Sequence, residues 1–264
     1  DYWRTWVQRC TIPDIYQKEV IRSALLLKLH QYEDTGAIIA AGTTSLPEAP
    51  GAGRNWDYRY FWVRDSFYTL NALNSIGHFE ELDKYSHFIQ NIASTARHGY
   101  QPLYSITGES QTVERELDLA GYMGNKPVRV GNAAFLQTQN DVYGQVLVSL
   151  LPLYIDNRII HDRRLESREL VSSILSFIES KMQVPDAGLW EFRNIQNRHG
   201  YTFLFHWAGA SAAVKIGKAL KDRELVERAT RIRNMAAEGL ESCYNPELKA
   251  YCSYVGGSSL DASL

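Results

Sequence analysis

Two stretches of this sequence set carboxylates and guanidinium groups among aromatic side chains. One is Arg54-Asn55-Trp56-Asp57-Tyr58-Arg59-Tyr60-Phe61-Trp62-Val63-Arg64-Asp65, which ends where a helical pattern begins. There Arg64 can donate to, and Asp65 accept from, adjacent hydroxyls of a sugar ring. The same two residues also read as a helix N-cap by Asp65 with a local ion pair to Arg64. The other stretch is Asp186-Ala187-Gly188-Leu189-Trp190-Glu191-Phe192-Arg193, in which Glu191 lies between two aromatic residues. Breaking a glycosidic bond takes two carboxyl groups, one to protonate the leaving oxygen and one to activate water or attack carbon. The acid of that pair needs a raised pKa, which apolar neighbours promote by disfavouring the charged form. Glu191 therefore reads as a candidate general acid, or as half of a loop ion pair with Arg193. Aromatic residues make up 12% of the chain, with 16 Tyr and 6 Trp. Such side chains suit the apolar C–H faces and hydroxyl rims of sugars, and they also fill helical cores.

Other chemistries find little support. The formal net charge is -2, with no long Lys/Arg run, so nothing points to nucleic acid or an anionic membrane. No apolar run approaches the roughly 20 residues needed to span a bilayer. The seven histidines form no metal-ligand spacing, and phosphate-loop, dinucleotide and nucleophile-elbow motifs are missing. Cys10, Cys243 and Cys252 are three in number and include no C-x-x-C pair, which favours reduced thiols and a cytoplasmic location. Cys243 and Cys252 could still pair across the turn at Asn245-Pro246. Arg129, in Pro127-Val128-Arg129-Val130-Gly131-Asn132, reads as a tie between loops or as a substrate ligand.

The elements that must position these residues are helices. Apolar spacing of three and four predicts them over residues 15–30, 65–76, 79–96, 141–155, 165–182, 202–220 and 223–240, with an eighth starting at Ser259. A short hairpin fits 100–113, turning at Thr107-Gly108. The 141–155 and 202–220 helices are small or apolar throughout, whereas 165–182 and 223–240 are charged on one side. That alternation predicts inner helices surrounded by outer ones, as in an α/α toroid. The links 33–63, 99–140 and 183–201 are long, and long structured loops in compact domains commonly carry function.

Five stretches together resemble the glucoamylase and trehalase family, glycoside hydrolase family fifteen. They are the run from Gly36 to Glu48, the run from Asn55 to Asp65, Pro127-Val128-Arg129-Val130-Gly131-Asn132, Asp141-Val142-Tyr143-Gly144 and Gly188-Leu189-Trp190-Glu191-Phe192-Arg193. The resemblance implies an all-α (α/α)6 barrel and release of glucose from non-reducing ends of α-glucans or oligosaccharides with inversion. Trehalose hydrolysis is the close alternative, and a carbohydrate-binding or regulatory protein without a general base is the alternative of another class. It places the general acid at Glu191, Arg64 and Asp65 on the sugar at the pocket floor, Tyr58, Trp62 and Trp190 in the wall, and Arg193 beside them. It implies an oligosaccharide or polysaccharide as partner and no metal or organic cofactor.

The sequence departs from the family pattern at three points. Gln145 stands where the family carries Glu, and residues 199–207 are more aromatic than usual. The family's general base is a late Glu, beyond Leu264. About seven of twelve barrel helices fall within residues 1–264, so the expectation is a single partial catalytic domain, inactive alone, with the rest of the barrel and an upstream β-sandwich lying outside it. An unclosed barrel exposes inner faces and invites self-association.

Overall fold

In the computed structural model the chain is described over residues 1–96, 98–159 and 168–264, so His161 and the first three residues of the predicted 165–182 helix lie outside the described residues. The chain divides into two compact units, residues 1–92 with 102–136 and residues 93–101 with 137–264.

In the first unit, α1 (Tyr2–Gln8), which has no counterpart among the predicted helices, buries Trp6. Its indole stacks on His78 at 3.9 Å and donates from Nε1 to Glu81 Oε1 at 2.9 Å. Helix α2 (Gln17–Leu29) buries Ala24 from the predicted apolar stripe together with Lys28, which pairs with Glu81 at 3.2 Å. Ile15 and Tyr16 precede the helix and are exposed. The strand β1 (Phe61–Trp62) leads directly into α3 (Val63–Ser75), which starts two residues before the predicted Asp65. The cause is that β1 pairs with β2 (Leu103–Tyr104), holding the chain extended up to Trp62, which becomes the N-cap. Helix α4 (Glu80–Thr95) buries Leu82, Tyr85, Phe88, Ile89 and Ile92 at spacings of three and four, and Phe61 packs edge-on to Phe88 at 4.7 Å.

The predicted 100–113 hairpin is half right. A turn forms where Gly108 N–H donates to Ser105 O at 3.0 Å, but β2 pairs with β1 instead of a return strand of its own. The hairpin of this region is instead β3 (Arg115–Leu117) with β4 (Val128–Val130). All three β3 residues are exposed, so no apolar alternation marked that strand.

In the second unit, α5 (Val142–Ile155) and α7 (Gly200–Ala219) are buried around most of their circumference. By contrast, α6 (Arg168–Lys181) and α8 (Arg223–Glu241) bury one stripe each, in α8 Leu225, Ala229, Ile232 and Ala236. This is the predicted contrast between inner and outer helices. Asp222 caps α8, its side chain accepting from Leu225 N–H at 2.9 Å. A short hairpin, β5 (Tyr244–Asn245) with β6 (Ala250–Tyr251), follows. The last residues form turns and bends, not the predicted eighth helix. Cys243 and Cys252 are both free thiols. No helix among the described residues is long and apolar enough to cross a membrane.

Helix α7 packs on both α5 and α8. Its approach to α5 is set by glycine: a Cβ on Gly144 would run into the Phe205 carbonyl, and one on Gly209 would meet Gly144 Cα. Overpacking a well-filled core costs about 1–3 kcal/mol. Gly144→Ala is expected to lower unfolding free energy by about that amount, read as a lower urea midpoint with an unchanged slope.

Candidate active site

The loop carrying Glu191 is closed at its base by antiparallel backbone hydrogen bonds between Asp186 and Asn197, at 2.9 and 3.0 Å. Asp186 itself is fully buried. Its Oδ2 accepts from Asn140 N–H at 2.8 Å and from the Thr202 hydroxyl at 2.9 Å, and its Oδ1 accepts from Gly188 N–H at 3.0 Å. The last of these is an Asx turn, a local side-chain bond to the backbone two residues on. It lets the chain turn at Gly188, whose φ of +68° and tight packing on the His199 ring leave no room for a Cβ.

Within the loop, Glu191 N–H donates to Gly188 O at 3.2 Å and Phe192 N–H to Ala187 O at 3.3 Å. Glu191 takes φ +56°, a left-handed conformation uncommon for a side-chain-bearing residue and shared here with Tyr16, Ser45, Met123, Lys221 and Lys249. Two glutamines hold the residue in place. Gln137 Nε2 donates to Glu191 O at 3.1 Å, and Gln139 Nε2 donates to both Glu191 Oε1 at 3.1 Å and Gln137 Oε1 at 3.0 Å. Gln139 is buried, whereas Glu191 is half-buried. The flanking rings do not form the closed apolar jacket that their place in the sequence evokes, for Trp190 is 55% and Phe192 45% exposed. Arg193 is exposed on the same loop.

Asn140 links the loop base to α7 as well. Its carbonyl accepts from His206 Nε2 at 2.9 Å, which fixes that fully buried imidazole as the Nε2–H tautomer. Burial pushes the Asp186 carboxyl up to about 6, outweighing its three hydrogen bonds, and drives His206 down to about 4. At Gln145, the departure from the family pattern, Nε2 donates to Asp141 Oδ2 at 2.7 Å, and both residues are buried.

The other candidate residues belong to the first unit. Arg64 Nε lies 3.8 Å from Asp65 Oδ2, so the local ion pair is present. Asp65 stands in the first turn of α3, not at its cap, and the helix dipole there favours its charge. Trp62 is 2% exposed, in a core cluster with Leu103 and Ala134, and half-buried Tyr58 packs against it at 5.9 Å. Arg129 ties loops: it lies 4.5 Å over the Trp56 ring, pairs with Glu114 at 3.3 Å, and donates to the Gly53 and Asn55 carbonyls.

Residues 14–264 match the family model for glycosyl hydrolases family 15. The chain belongs to this family. A trehalase of Thermoplasma acidophilum is 34% identical over 265 residues, covering all of this chain and 45% of that protein. A trehalase of Mycobacterium tuberculosis is 34% identical over 277 residues, covering 99% of this chain and 39% of that protein. The chain thus spans less than half the length of these curated relatives. Among solved structures, a bacterial glucoamylase complexed with acarbose superposes with a TM-score of 0.60 at 16% identity, covering 98% of this chain and 35% of that one. A glycosidase in complex with glucose gives 0.64 at 17% identity, covering 94% and 62%. Likeness at such identities speaks for the fold alone, and the fold is the all-α (α/α)6 type implied by the sequence motifs, part of which this chain supplies. The family-15 match runs across both compact units.

Asp186 and Gln139 were not singled out from the sequence. The Asp-x-Gly of Asp186 and Gly188 is a local turn signal, but Gln139 contacts Glu191 from 52 positions away and leaves no such trace. Replacing Asp186 by Ala strands two N–H groups and a hydroxyl in the interior, which costs about 3 kcal/mol or more, measured by urea denaturation.

Ionisation of Asp186 adds a pH dependence. Its folded-state pKa of about 6 lies above the ordinary 3.8, so its contribution to stability falls as pH rises from about 4 to 6. Relative to wild type, Asp186→Asn is therefore expected to gain up to about 3 kcal/mol across that interval. His206 acts in the opposite sense: its pKa of about 4 lies below 6.5, so its contribution is lost as pH falls through that range.

Proposed function

We propose that this chain supplies the acid-bearing part of an inverting α-glucoside hydrolase acting on trehalose, with Glu191 as general acid. The observation that carries the role is the presentation of Glu191, held at φ +56° on an anchored loop with a glutamine amide on its carboxyl. Strained, over-determined backbone of this kind is a feature of catalytic positions. The substrate is supported by the relatives described above, both of which bear the name trehalase.

In this reading Glu191 gives its proton to the oxygen joining two glucose units as the C1–O bond breaks. A second carboxylate takes a proton from the water that attacks C1 from the opposite face, so the configuration inverts. By the family resemblance, Arg64 and Asp65 hold hydroxyls of the reacting ring and Tyr58 lines its wall, with the buried Trp62 packed behind Tyr58; the resemblance gives Trp190 and Arg193 their sugar contacts on the Glu191 loop. Release of glucose from the non-reducing ends of α-glucans is the second reading, supported by the motifs shared with glucoamylases, above all the run from Asn55 to Asp65.

The experiment is glucose release from trehalose, maltose and isomaltose by the full-length protein. Trehalose is expected to be the preferred substrate. Glu191→Gln is expected to lose about two to four orders of magnitude in kcat, the scale of general acid catalysis, with an unchanged melting temperature. Maltose or isomaltose as the preferred sugar would favour the second reading. No glucose from any of the three would replace both with a carbohydrate-binding role.

A further inference from the structure

The Glu191 loop is also gripped from the far end of the second unit. Trp190 Nε1 donates to Asp261 Oδ2 at 2.8 Å, across 71 positions of sequence. Asp261 is itself fixed, because its Oδ1 accepts from Ser263 N–H at 2.9 Å and its carbonyl from Leu264 N–H at 3.2 Å. A hydrogen bond from an indole to a carboxylate is of the stronger, charge-assisted kind. It satisfies the ring's one polar atom and restrains its rotation, while Trp190 stays 55% exposed.

Beside this ring lies a cleft of about 400 Å³ whose walls include Trp190, Phe192, Asn197, Tyr254, Leu260 and Asp261. Its volume falls at the lower end of small-ligand sites, and its walls mix apolar faces with a few amide, hydroxyl and carboxylate groups. A pyranose fits that chemistry, with C–H groups for an aromatic face and hydroxyls for the polar rim. A freely turning indole would lose entropy on stacking against such a ring, whereas a locked one has already lost it.

We propose that Asp261 is a positioning residue for sugar binding: it locks the Trp190 indole so that its exposed face forms one wall of a pyranose site in this cleft. The proposal rests on reading Glu191, the next residue along, as the acid of an α-glucoside hydrolase.

The test uses the full-length protein with Asp261→Ala and Asp261→Asn. For trehalose, Asp261→Ala raises KM about tenfold with kcat within about threefold, the scale of one lost hydrogen bond in binding. Asp261→Asn keeps one side-chain oxygen, which can accept from the indole only by giving up the bond from Ser263 N–H, and it restores part of the affinity. An unchanged KM in Asp261→Ala, a fall in kcat alone, or no rescue by Asp261→Asn would overturn the proposal. A second arm needs no turnover: trehalose and glucose are titrated while Trp190 emission is read as the difference from Trp190→Phe. If the unmutated protein hydrolyses no sugar, the functional reading fails. Even then, a Trp190 response that Asp261→Ala weakens about tenfold upholds the pyranose site. No Trp190 response to either sugar sinks it.

Discussion

A buried carboxylate at the foot of a loop decides what the rest of that loop can do. Asp186 has no access to water, so every lone pair it presents inward must be met by protein. Asn140 and Gly188 meet it with backbone N–H groups and Thr202 with a hydroxyl, drawing together the entry to α5, the loop and the first turn of α7. Asn140 then uses its carbonyl for His206, so one peptide segment joins two buried titratable groups of opposite pH response. A network of this sort is costly when partly satisfied and rigid when complete. Rigidity at the base is what allows a ten-residue excursion above it to hold one shape.

That excursion uses the rigidity to sustain an unfavourable backbone at Glu191. A left-handed residue with a side chain costs of order 1–3 kcal/mol, and here it is offset by the Gln137 and Gln139 amides and the turn at Gly188. For the proposed general acid the return is preorganisation, since a proton donor fixed before substrate arrives need not be ordered in the transition state. Asp261 extends the same logic to Trp190.

The helices were legible because burial follows period. The stripe of Leu225, Ala229, Ile232 and Ala236 foretold a one-sided α8, and the small, apolar run of 202–220 foretold an enclosed α7. The short strands were not, because two- and three-residue pairings such as β1 with β2 carry no alternation to read. At the candidate site the loop and its acid stood out by composition, yet their environment did not follow from neighbours in sequence. Trp190 and Phe192 flank Glu191 in the chain and remain largely exposed, while Trp62, among the residues expected to face a sugar, is packed into a core. Asp186, Gln139 and Asp261 act through partners 46, 52 and 71 positions away, and such pairings leave no periodic or spacing signal.

If the anchored loop exists to deliver a proton, the need for Glu191 should depend on the leaving group. A sugar leaving as an alkoxide must be protonated, whereas fluoride leaves readily without that help. The most direct measurement is therefore the effect of Glu191→Gln on hydrolysis of trehalose and of α-glucosyl fluoride by the full-length protein. This account predicts that the variant loses most of its activity on trehalose and keeps most of it on the fluoride. An equal loss on both substrates would contradict the assignment of Glu191 as the general acid.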